Sequence, residues 1–367
     1  MKVLHVVGAR PNFMKVAPVM RALANASGLF DQALVHTGQH YDFEMSQVFF
    51  RDLVLPKPDH YLGTGSGTHA QQTARVMAAF EPVLQELAPD LVLVVGDVNS
   101  TLGCALVCAK LGVAVAHVEA GLRSGDRSMP EEINRLLTDQ IAELHFTPTR
   151  SDGDNLQREG ISPEKIHFVG NVMIDSLVEH AAAAARRDVR ALLGLRPDRP
   201  YLLATFHRPP NVDVPATLED ILTALAQLAN RTLVVVVLHP RTRRRITEFG
   251  FEAILDGTPD LVALDSQGYL DFLALMTGAR VVITDSGGMQ EETTYLGLPC
   301  LTLRPNTERP ITVQQGTNRL IGATRAEIVA AVEECLRADP SPHLVPEYWD
   351  GQAAGRIAEV LAGHDKS

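Results

Sequence analysis

Short apolar runs alternate with helix-forming stretches along nearly the whole chain, and this alternation constrains the fold more than any other feature. Such runs are typical of strands that are buried on both faces. The runs interpreted as strands are residues 3–7, 33–37, 91–95, 113–118, 144–147, 166–169, 201–205, 232–238, 262–264, 281–284 and 300–303. Strands that alternate with helices form parallel sheets with helices on both faces. The sequence therefore predicts two Rossmann-like, doubly wound α/β domains facing a central cleft.

The length of 367 residues favours two domains over one. An Ala- and Arg-rich stretch, residues 175–199, reads as helix, contains Gly194 and Pro197 near its end, and is interpreted as the start of the hinge. We predict a first domain over residues 1–172, a second over 173–350, and a C-terminal helix within 351–367 that packs back on the first. Pro82 is expected to bend or end its helix.

Charge and composition argue against several classes of partner. The net charge of −11 argues against a nucleic-acid or anionic-membrane partner. The four cysteines lack the spacing of a metal site. No apolar run approaches the length of a membrane span, and the N-terminus enters a strand without a signal peptide. We expect a cytoplasmic protein without a metal site.

The stretch 282–299 predicts a strand, a glycine-rich turn and a helix. The apolar run stops at Asp285, and Ser286, Gly287 and Gly288 open the helix. The open backbone N–H groups and the dipole at such a helix start favour an anion. Glu292 follows one turn later, where a carboxylate could accept hydrogen bonds from ribose hydroxyls. The pattern fits a seat for a nucleoside diphosphate, and equally an ordinary strand–turn–helix with glycines for tight packing.

Other charged residues follow predicted strands in the first half of the chain. Arg10 and Lys15 stand near the start of a helix, where cations do not favour the helix dipole, so they indicate either phosphate binding or two solvated cations. Asp97 reads as an acid–base group or a helix cap, and Glu119 ends an apolar strand, where a charge must be paired or used. Glu131 is a further acid–base candidate.

Glu131 also has a structural interpretation. Ser128 and Glu131 have the spacing of a capping box, and Arg135 lies four residues after Glu131. In the second half, His207 and His239 follow strands, as hydrogen-bonded loop residues or as functional groups, and Arg309 could add a cation. The glycine turn at Ser286 lacks the Lys-Ser/Thr pair of a P-loop.

Together these motifs resemble the non-hydrolysing, bacterial type of UDP-N-acetylglucosamine 2-epimerase. The matching segments are GARPNFMKVAP (8–18), TGQHYD (37–42), GDVNST (96–101), HVEAGLRSGDRSMPEEINR (117–135), GNVMIDSL (170–177), HRP (207–209), DSGGMQEE (285–292) and ERP (308–310). The resemblance covers nearly the whole chain. It implies a glycosyltransferase-B-like fold, a homodimer, and an isomerase that makes precursors of cell-surface polysaccharide.

The resemblance also implies the ligands and the site residues. The partners are UDP-N-acetylglucosamine and UDP, with no cofactor and no metal. The implied UDP contacts are Arg10, Gln267, Phe272, Ser286, Gly287, Gly288, Glu292 and Arg309. The implied sugar-side residues are Lys15, Asp97, Glu119, Glu131, Arg135 and His207. Among them, the resemblance implies acid–base roles for Asp97, Glu119, Glu131 and His207. The implied reaction eliminates UDP to leave 2-acetamidoglucal, and UDP is then added back.

Two departures and four alternatives stay open at this point. Pro209 and Pro210 replace the Arg-Glu pair of many members, and residues 65–71 replace a polar segment with an arginine, which puts allosteric activation by UDP-N-acetylglucosamine in doubt. The alternatives are a hydrolysing epimerase, a 2-epimerase of a UDP-2,3-diacetamido uronic acid, a glycosyltransferase and a UDP-sugar-binding regulator. The uronic acid would need an extra cation, for which Arg241, Arg243, Arg244 and Arg245 are candidates.

Overall fold

The computed structural model describes residues 1–26, 28–39, 49–192, 194, 199–338 and 343–364. Pro197 of the predicted hinge and residues 40–42 of the TGQHYD motif lie outside the described residues. The chain forms two compact units. The first comprises Met1–Glu179 together with Glu347–Ser367, and the second comprises His180–Pro346.

The first unit is built on a parallel sheet with the strand order β3-β2-β1-β4-β5-β6-β7 in the described residues. Its strands are β1 (Lys2–Val7), β2 (Asp31–His36), β3 (His60–Tyr61), β4 (Leu91–Val95), β5 (Ala114–Val118), β6 (Leu144–Thr147) and β7 (Ile166–Phe168). Its helices are α1 (Arg10–Ala24), α2 (His69–Leu87), α3 (Asn99–Leu111), α4 (Pro130–Ile141), α5 (Arg150–Arg158), α6 (Val172–Ala185), which crosses into the second unit, and the C-terminal α16 (Ala353–Gly363). Because β1 lies between β2 and β4, the strand order reverses there, which is the kind of point where such sheets bind ligands.

The second unit repeats this plan with the strand order β10-β9-β8-β11-β12-β13, again parallel throughout the part described. Its strands are β8 (Tyr201–Thr205), β9 (Leu233–Leu238), β10 (Leu261–Asp265), β11 (Val281–Thr284), β12 (Cys300–Leu303) and β13 (Asn318–Ile321). Its helices are α7 (Val189–Leu192), α8 (Pro209–Val212), α9 (Pro215–Ala229), α10 (Pro240–Phe249), α11 (Glu252–Asp256), α12 (Tyr269–Thr277), α13 (Gly287–Leu296), α14 (Pro310–Gln314) and α15 (Arg325–Arg337). The predicted fold class, two Rossmann-like α/β domains, is confirmed.

The first unit ends within α6 instead of at residue 172, and it resumes at Glu347 instead of at residue 351. The reason lies in the packing of the first turns of α6. Ile174 and Leu177 are buried, and the Ser176 hydroxyl donates a hydrogen bond to the Met14 carbonyl of α1. These contacts tie the start of α6 to the first unit.

The C-terminal segment packs on the first unit, and its attachment is polar as well as apolar. The carboxylate of Asp175 accepts hydrogen bonds from the backbone N–H groups of Ala353 (3.1 Å) and Ala354 (2.7 Å) at the start of α16. The buried Trp349 donates its indole N–H to the Pro148 carbonyl at 3.1 Å. The helix α16 then packs against α1.

Three local features differ from the sequence-based expectation. The two-residue strand β3 lies directly after a segment that looks unsuited to a strand because of its prolines, and β13 has too few apolar residues to form a run. Helix α2 continues through Pro82, since Phe80 and Leu84 on either side of it are buried on the same face. Among the described residues, no helix is long and apolar enough to span a bilayer.

Candidate functional site

In the first unit, a buried ion pair forms where β1 and β5 end. Lys15 on α1 donates to the Glu119 carboxylate, and both side chains are buried. The helix is held in register by Asn12, whose side chain accepts hydrogen bonds from the backbone of Gly8 (3.0 Å) and donates to the Val95 carbonyl of β4 (3.1 Å). Lys15 is thus not a solvated cation. It neutralises a carboxylate that would otherwise be costly to bury.

Glu119 has a backbone conformation that side-chain-bearing residues rarely adopt. Its φ is 71°, in the left-handed region. For a non-glycine residue this conformation costs on the order of 1–3 kcal/mol and persists only where the surroundings impose it. Its N–H and that of Ala120 both donate to the Phe146 carbonyl of β6, each at 3.1 Å. Strained residues of this kind cluster at functional sites.

Asp97, two residues after the end of β4, is half-buried and paired with Arg135 of α4. The guanidinium donates to Asp97 Oδ2 through Nε at 3.1 Å and through Nη2 at 2.7 Å. Its Nη1 donates to Glu132 Oε2 at 2.6 Å. Arg135 is almost fully buried, so it is a fixed cation that holds Asp97 in place. Asp97 does not cap α3, whose N-cap residue is Val98.

Glu131 lies in the first turn of α4, and the capping box suggested by its spacing does not form. The N-cap residue of α4 is Met129, without a side-chain hydrogen bond, and the Ser128 hydroxyl donates to Asp126 Oδ1 at 2.6 Å. Arg135 pairs with Asp97 and Glu132 instead of Glu131. In the part of the chain that is described, no hydrogen bond or ion pair to the half-buried Glu131 carboxylate is observed. This leaves Glu131 available to a ligand. Arg10 begins α1, and its side chain lies outside the described part.

In the second unit, the buried Asp285 follows β11. It binds the backbone of the loop that begins after β8. Its carboxylate accepts the backbone N–H of Arg208 (2.8 Å) and both oxygens lie near the N–H of His207 (3.0 and 3.1 Å). The His207 ring turns its Nδ1 toward Asp285 Oδ1 at 3.2 Å. This contact fixes the orientation of the His207 ring. The ring of His239 lies 5.2 Å from that of His207, between centroids.

The helix α13 begins at Gly287 after Ser286, which makes no side-chain cap. Its first N–H groups are therefore not satisfied by a capping side chain, as an anion site requires. A Cβ at Gly287 would lie 2.4 Å from Arg309 Nη1 and 2.7 Å from Glu308 Oε1. Glycine is needed at 287 because the Arg309 guanidinium packs directly on it. Gly288 follows within the first turn.

Arginines gather around this helix start. Glu308 Oε2 accepts from Arg304 at 2.6 Å, Arg309 Nε lies 2.9 Å from Glu291 Oε1, and Arg208 lies 3.8 Å from Glu308. Arg309 also donates to Glu308. Three guanidinium groups, those of Arg208, Arg304 and Arg309, lie among carboxylates near this helix start, in a chain that is acidic as a whole. The dipole of the helix favours a bound anion at this point.

Glu292 is buried one turn into α13, and the Tyr269 hydroxyl donates to its Oε1 at 3.1 Å. Burial, together with the charge of Glu291, raises the pKa of Glu292 to about 8. At neutral pH the carboxyl is therefore largely protonated, and it can both donate and accept hydrogen bonds. Such a group is suited to a pair of hydroxyls.

The remaining predicted contacts lie just before and within α12. Gln267 donates its side-chain amide to the Asp265 carbonyl at 2.7 Å, and Phe272 is half-buried in the second turn of the helix. Sequence reasoning missed Asp285, Arg304 and Tyr269. Of these three, Asp285 could have been recognised from the sequence, because a charged residue immediately after a fully buried strand needs a partner. Among the described residues no group of His, Cys, Asp or Glu is arranged to hold a metal ion.

Comparison with known proteins agrees with these features. A family model described as UDP-N-acetylglucosamine 2-epimerase matches residues 21–362. A UDP-N-acetylglucosamine 2-epimerase of Methanococcus maripaludis is 39% identical, over 100% of this chain and 99% of that protein. The UDP-2,3-diacetamido-2,3-dideoxy-D-glucuronate 2-epimerase of Pseudomonas aeruginosa is 42% identical, over 99% of each.

A solved structure, that of the UDP-GlcNAc 2-epimerase of Methanocaldococcus jannaschii in complex with UDP-GlcNAc and UDP, superposes with a TM-score of 0.93 at 40% identity. The match covers 99% of this chain and 100% of that one. These similarities confirm the glycosyltransferase-B-like fold class and the resemblance drawn from the motifs. The chain belongs to the UDP-N-acetylglucosamine 2-epimerase family.

Proposed function

We propose that the protein catalyses the reversible C2 epimerisation of UDP-N-acetylglucosamine to UDP-N-acetylmannosamine, as a cytoplasmic homodimer. The observation that carries the proposal is the set of carboxylates in the first unit. Glu119 and Asp97 are each held by a buried cation, and Glu131 stands without a partner among the described residues. Acid–base chemistry needs carboxylates of this kind, whereas binding of a nucleotide sugar alone does not.

The reaction proceeds by elimination and re-addition. A carboxylate removes the C2 proton, the C–H electron pair forms the C1–C2 double bond, and the C1–O pair leaves with UDP, which gives 2-acetamidoglucal. UDP then attacks C1 while a proton is returned to the opposite face of C2. Only a proton and UDP are exchanged, so no oxidant or reductant takes part. Loss of the C1–O bond builds oxocarbenium character that nearby carboxylates stabilise.

We assign the nucleotide to the second unit. The uncapped start of α13 at Ser286, Gly287 and Gly288 and the guanidinium of Arg309 receive the diphosphate, whose charge increases as the C1–O bond breaks. The protonated Glu292 binds the ribose hydroxyls. For Arg10, Gln267 and Phe272 the assignment as UDP contacts rests on the family resemblance.

We assign proton transfer to Asp97, Glu119 and Glu131, with His207 as a donor near the leaving oxygen. Inversion at C2 requires one acid–base group on each face of the sugar. Lys15 binds Glu119 and Arg135 binds Asp97, so two of these carboxylates are held in place by cations. Glu131, at the start of α4, is the third and is not bound by either cation.

A second candidate is a 2-epimerase of a UDP-2,3-diacetamido uronic acid, and the 42% identity to the Pseudomonas aeruginosa enzyme favours it. Its substrate carries an additional carboxylate that requires a cation. The arginines of α10 do not supply one freely, because each is paired with a carboxylate. These pairs are Arg241–Asp213, Arg243–Asp265, Arg244–Glu248 and Arg245–Asp213. We therefore favour the uncharged N-acetyl sugar.

Proton NMR in deuterated water tests the proposal, with purified protein, UDP-N-acetylglucosamine and no added cofactor. We expect deuterium at C2 and a signal of UDP-N-acetylmannosamine. The Glu131→Gln variant should lose both, whereas Glu86→Gln, which changes an exposed glutamate of α2, should behave like the wild type. Release of free N-acetylmannosamine with UDP indicates a hydrolysing epimerase. Absence of exchange with this substrate, together with exchange of the diacetamido uronic acid nucleotide, establishes the second candidate.

A further inference from the structure

A further buried polar pair of the first unit is not explained by the roles assigned above. His117 of β5 and Asp139 of α4 are both fully buried, and His117 Nδ1 lies 2.6 Å from Asp139 Oδ1. On the other side of the ring, Nε2 lies 2.8 Å from the Gly96 carbonyl. Both ring nitrogens therefore face oxygen atoms of the protein.

The Gly96 carbonyl belongs to the turn that presents Asp97. Gly96 has a φ of 66°, and its N–H donates to the Val118 carbonyl at 3.0 Å. A Cβ at Gly96 would lie 3.1 Å from Lys15 Nζ and 3.3 Å from Glu119 Oε2. The turn therefore touches the Lys15–Glu119 pair, and a shift of its backbone moves Asp97 and that pair together.

The same Asp139 carboxylate also holds the turn after Glu119. Its Oδ2 accepts the N–H of Gly121 at 3.2 Å and lies 2.7 Å from Arg123 Nη2. Arg123 in turn forms a two-point hydrogen bond with Glu159, at 2.8 and 2.6 Å. The residues two positions before and two positions after Glu119 are thus bound to one carboxylate. This explains how the left-handed conformation of Glu119 is imposed.

We propose that the His117–Asp139 pair is a positioning device that sets Asp97 and Glu119 relative to each other through the turns at Gly96 and Gly121. The inference rests on the proposed acid–base roles of those two carboxylates. A buried polar pair is seldom the most stable way to fill a core, because apolar residues of equal volume are often as good. Its value here is in the placement of the reacting groups, for which an error of 1 Å costs about 10²-fold in rate.

Two substitutions separate positioning from a purely structural role. In His117→Asn the amide can replace Nδ1 and keep the bond to Asp139, but it cannot reach Gly96. In His117→Gln the amide can replace Nε2 and keep the bond to Gly96, but it loses Asp139. Since Asp139 is fully buried, the Gln variant leaves it without one donor and should be the less stable of the two. Positioning of Asp97 predicts the opposite order for kcat.

The experiment compares kcat, KM, the affinity for UDP and the melting temperature of both variants with those of the wild type. We expect kcat to fall about 10²-fold in His117→Asn and less in His117→Gln, with UDP affinity unchanged, because the assigned nucleotide contacts lie mainly in the second unit. If kcat follows the melting temperature instead, the pair is only structural and the proposal is overturned. If His117→Asn does not fold, Arg123→Lys replaces it as a milder change that keeps one cation near Asp139. The proposal then requires that kcat falls while UDP affinity does not change. An unchanged kcat in Arg123→Lys overturns the proposal.

The Asp97→Asn variant distinguishes this inference from the proposed function. Loss of C2 exchange in Asp97→Asn with wild-type kcat in both His117 variants overturns the positioning role and leaves the proposed function intact. Retention of C2 exchange in Asp97→Asn removes Asp97 from the chemistry, and the positioning role falls with it. Loss in Asp97→Asn together with the inverted order of kcat and stability supports both.

Discussion

The substitution Glu292→Gln should change the way stability depends on pH. Glu292 is 4% exposed and accepts a hydrogen bond from the Tyr269 hydroxyl. Glutamine keeps the shape and the accepting oxygen but has no proton to lose. Burial raises the pKa of Glu292 from 4.5 to about 8, with the charge of Glu291 acting in the same direction. The wild type therefore holds a proton at this position under conditions in which the unfolded chain has lost it.

The sign of the effect follows from this difference in pKa. The folded state binds more protons than the unfolded state between pH 4.5 and about 8. The contribution of Glu292 to stability is therefore fully present below pH 4.5 and is lost as the pH rises through 8. Integrated from about pH 5 to about pH 9, the loss amounts to about 4 kcal/mol. Glutamine at this position does not titrate and adds no pH dependence to the unfolding free energy.

Urea denaturation of both proteins at several pH values measures this difference. Far-UV circular dichroism follows the whole chain, and the fluorescence of Trp349, the single tryptophan, follows the first unit. The unfolding free energy of the variant minus that of the wild type should rise by about 4 kcal/mol between about pH 5 and about pH 9. The Trp349 transition should be the same in both proteins. A difference that stays constant with pH would show that Glu292 is ionised in the folded state and would refute the argument.

Three further substitutions test other contacts. Lys15→Met removes the ammonium that neutralises buried Glu119, so the unfolding free energy from Trp349 fluorescence should fall by about 3–5 kcal/mol, and Glu119→Gln added to it should restore most of the loss. Asp175→Ala removes two hydrogen bonds to the start of α16 and should speed its amide hydrogen exchange, measured by mass spectrometry, by an amount equivalent to about 2 kcal/mol; unchanged exchange would contradict this. Gly287→Ala displaces the guanidinium packed on it and should weaken UDP binding in calorimetry about ten-fold, and wild-type affinity would refute the assigned diphosphate contact.

The fold could be predicted from the sequence because its strands are parallel and buried on both faces. The sequence of such a strand is an uninterrupted apolar run. Two fully buried examples are β4 (Leu91–Val95) and β9 (Leu233–Leu238). The edge strands β3 and β13 escaped prediction because neither contains such a run, whereas the edge strands β7 and β10 were predicted. The segments of β3 and β13 form strands because they pair with β2 and β12, and such pairing between distant segments cannot be read from the local sequence.

The sequence was enough to predict which residues belong to the site, but not which of them form ion pairs with one another. Position after a strand was enough to single out Asp97 and Glu119. The partner of Glu119 is Lys15, more than a hundred residues away, and no local rule connects them. For Arg135 the local rule pointed to Glu131, yet the guanidinium binds the half-buried Asp97 and the buried Glu132.

The division of the first unit between two stretches of sequence has a consequence for biosynthesis. During translation, residues up to Glu179 emerge first, the whole second unit follows, and the helix that packs on α1 is made only afterwards. Until then the apolar face that receives Ile357 and Leu361 remains open on the nascent chain. The second unit, by contrast, is a single continuous stretch and can fold as soon as it has left the ribosome. The half made first is therefore the half completed last.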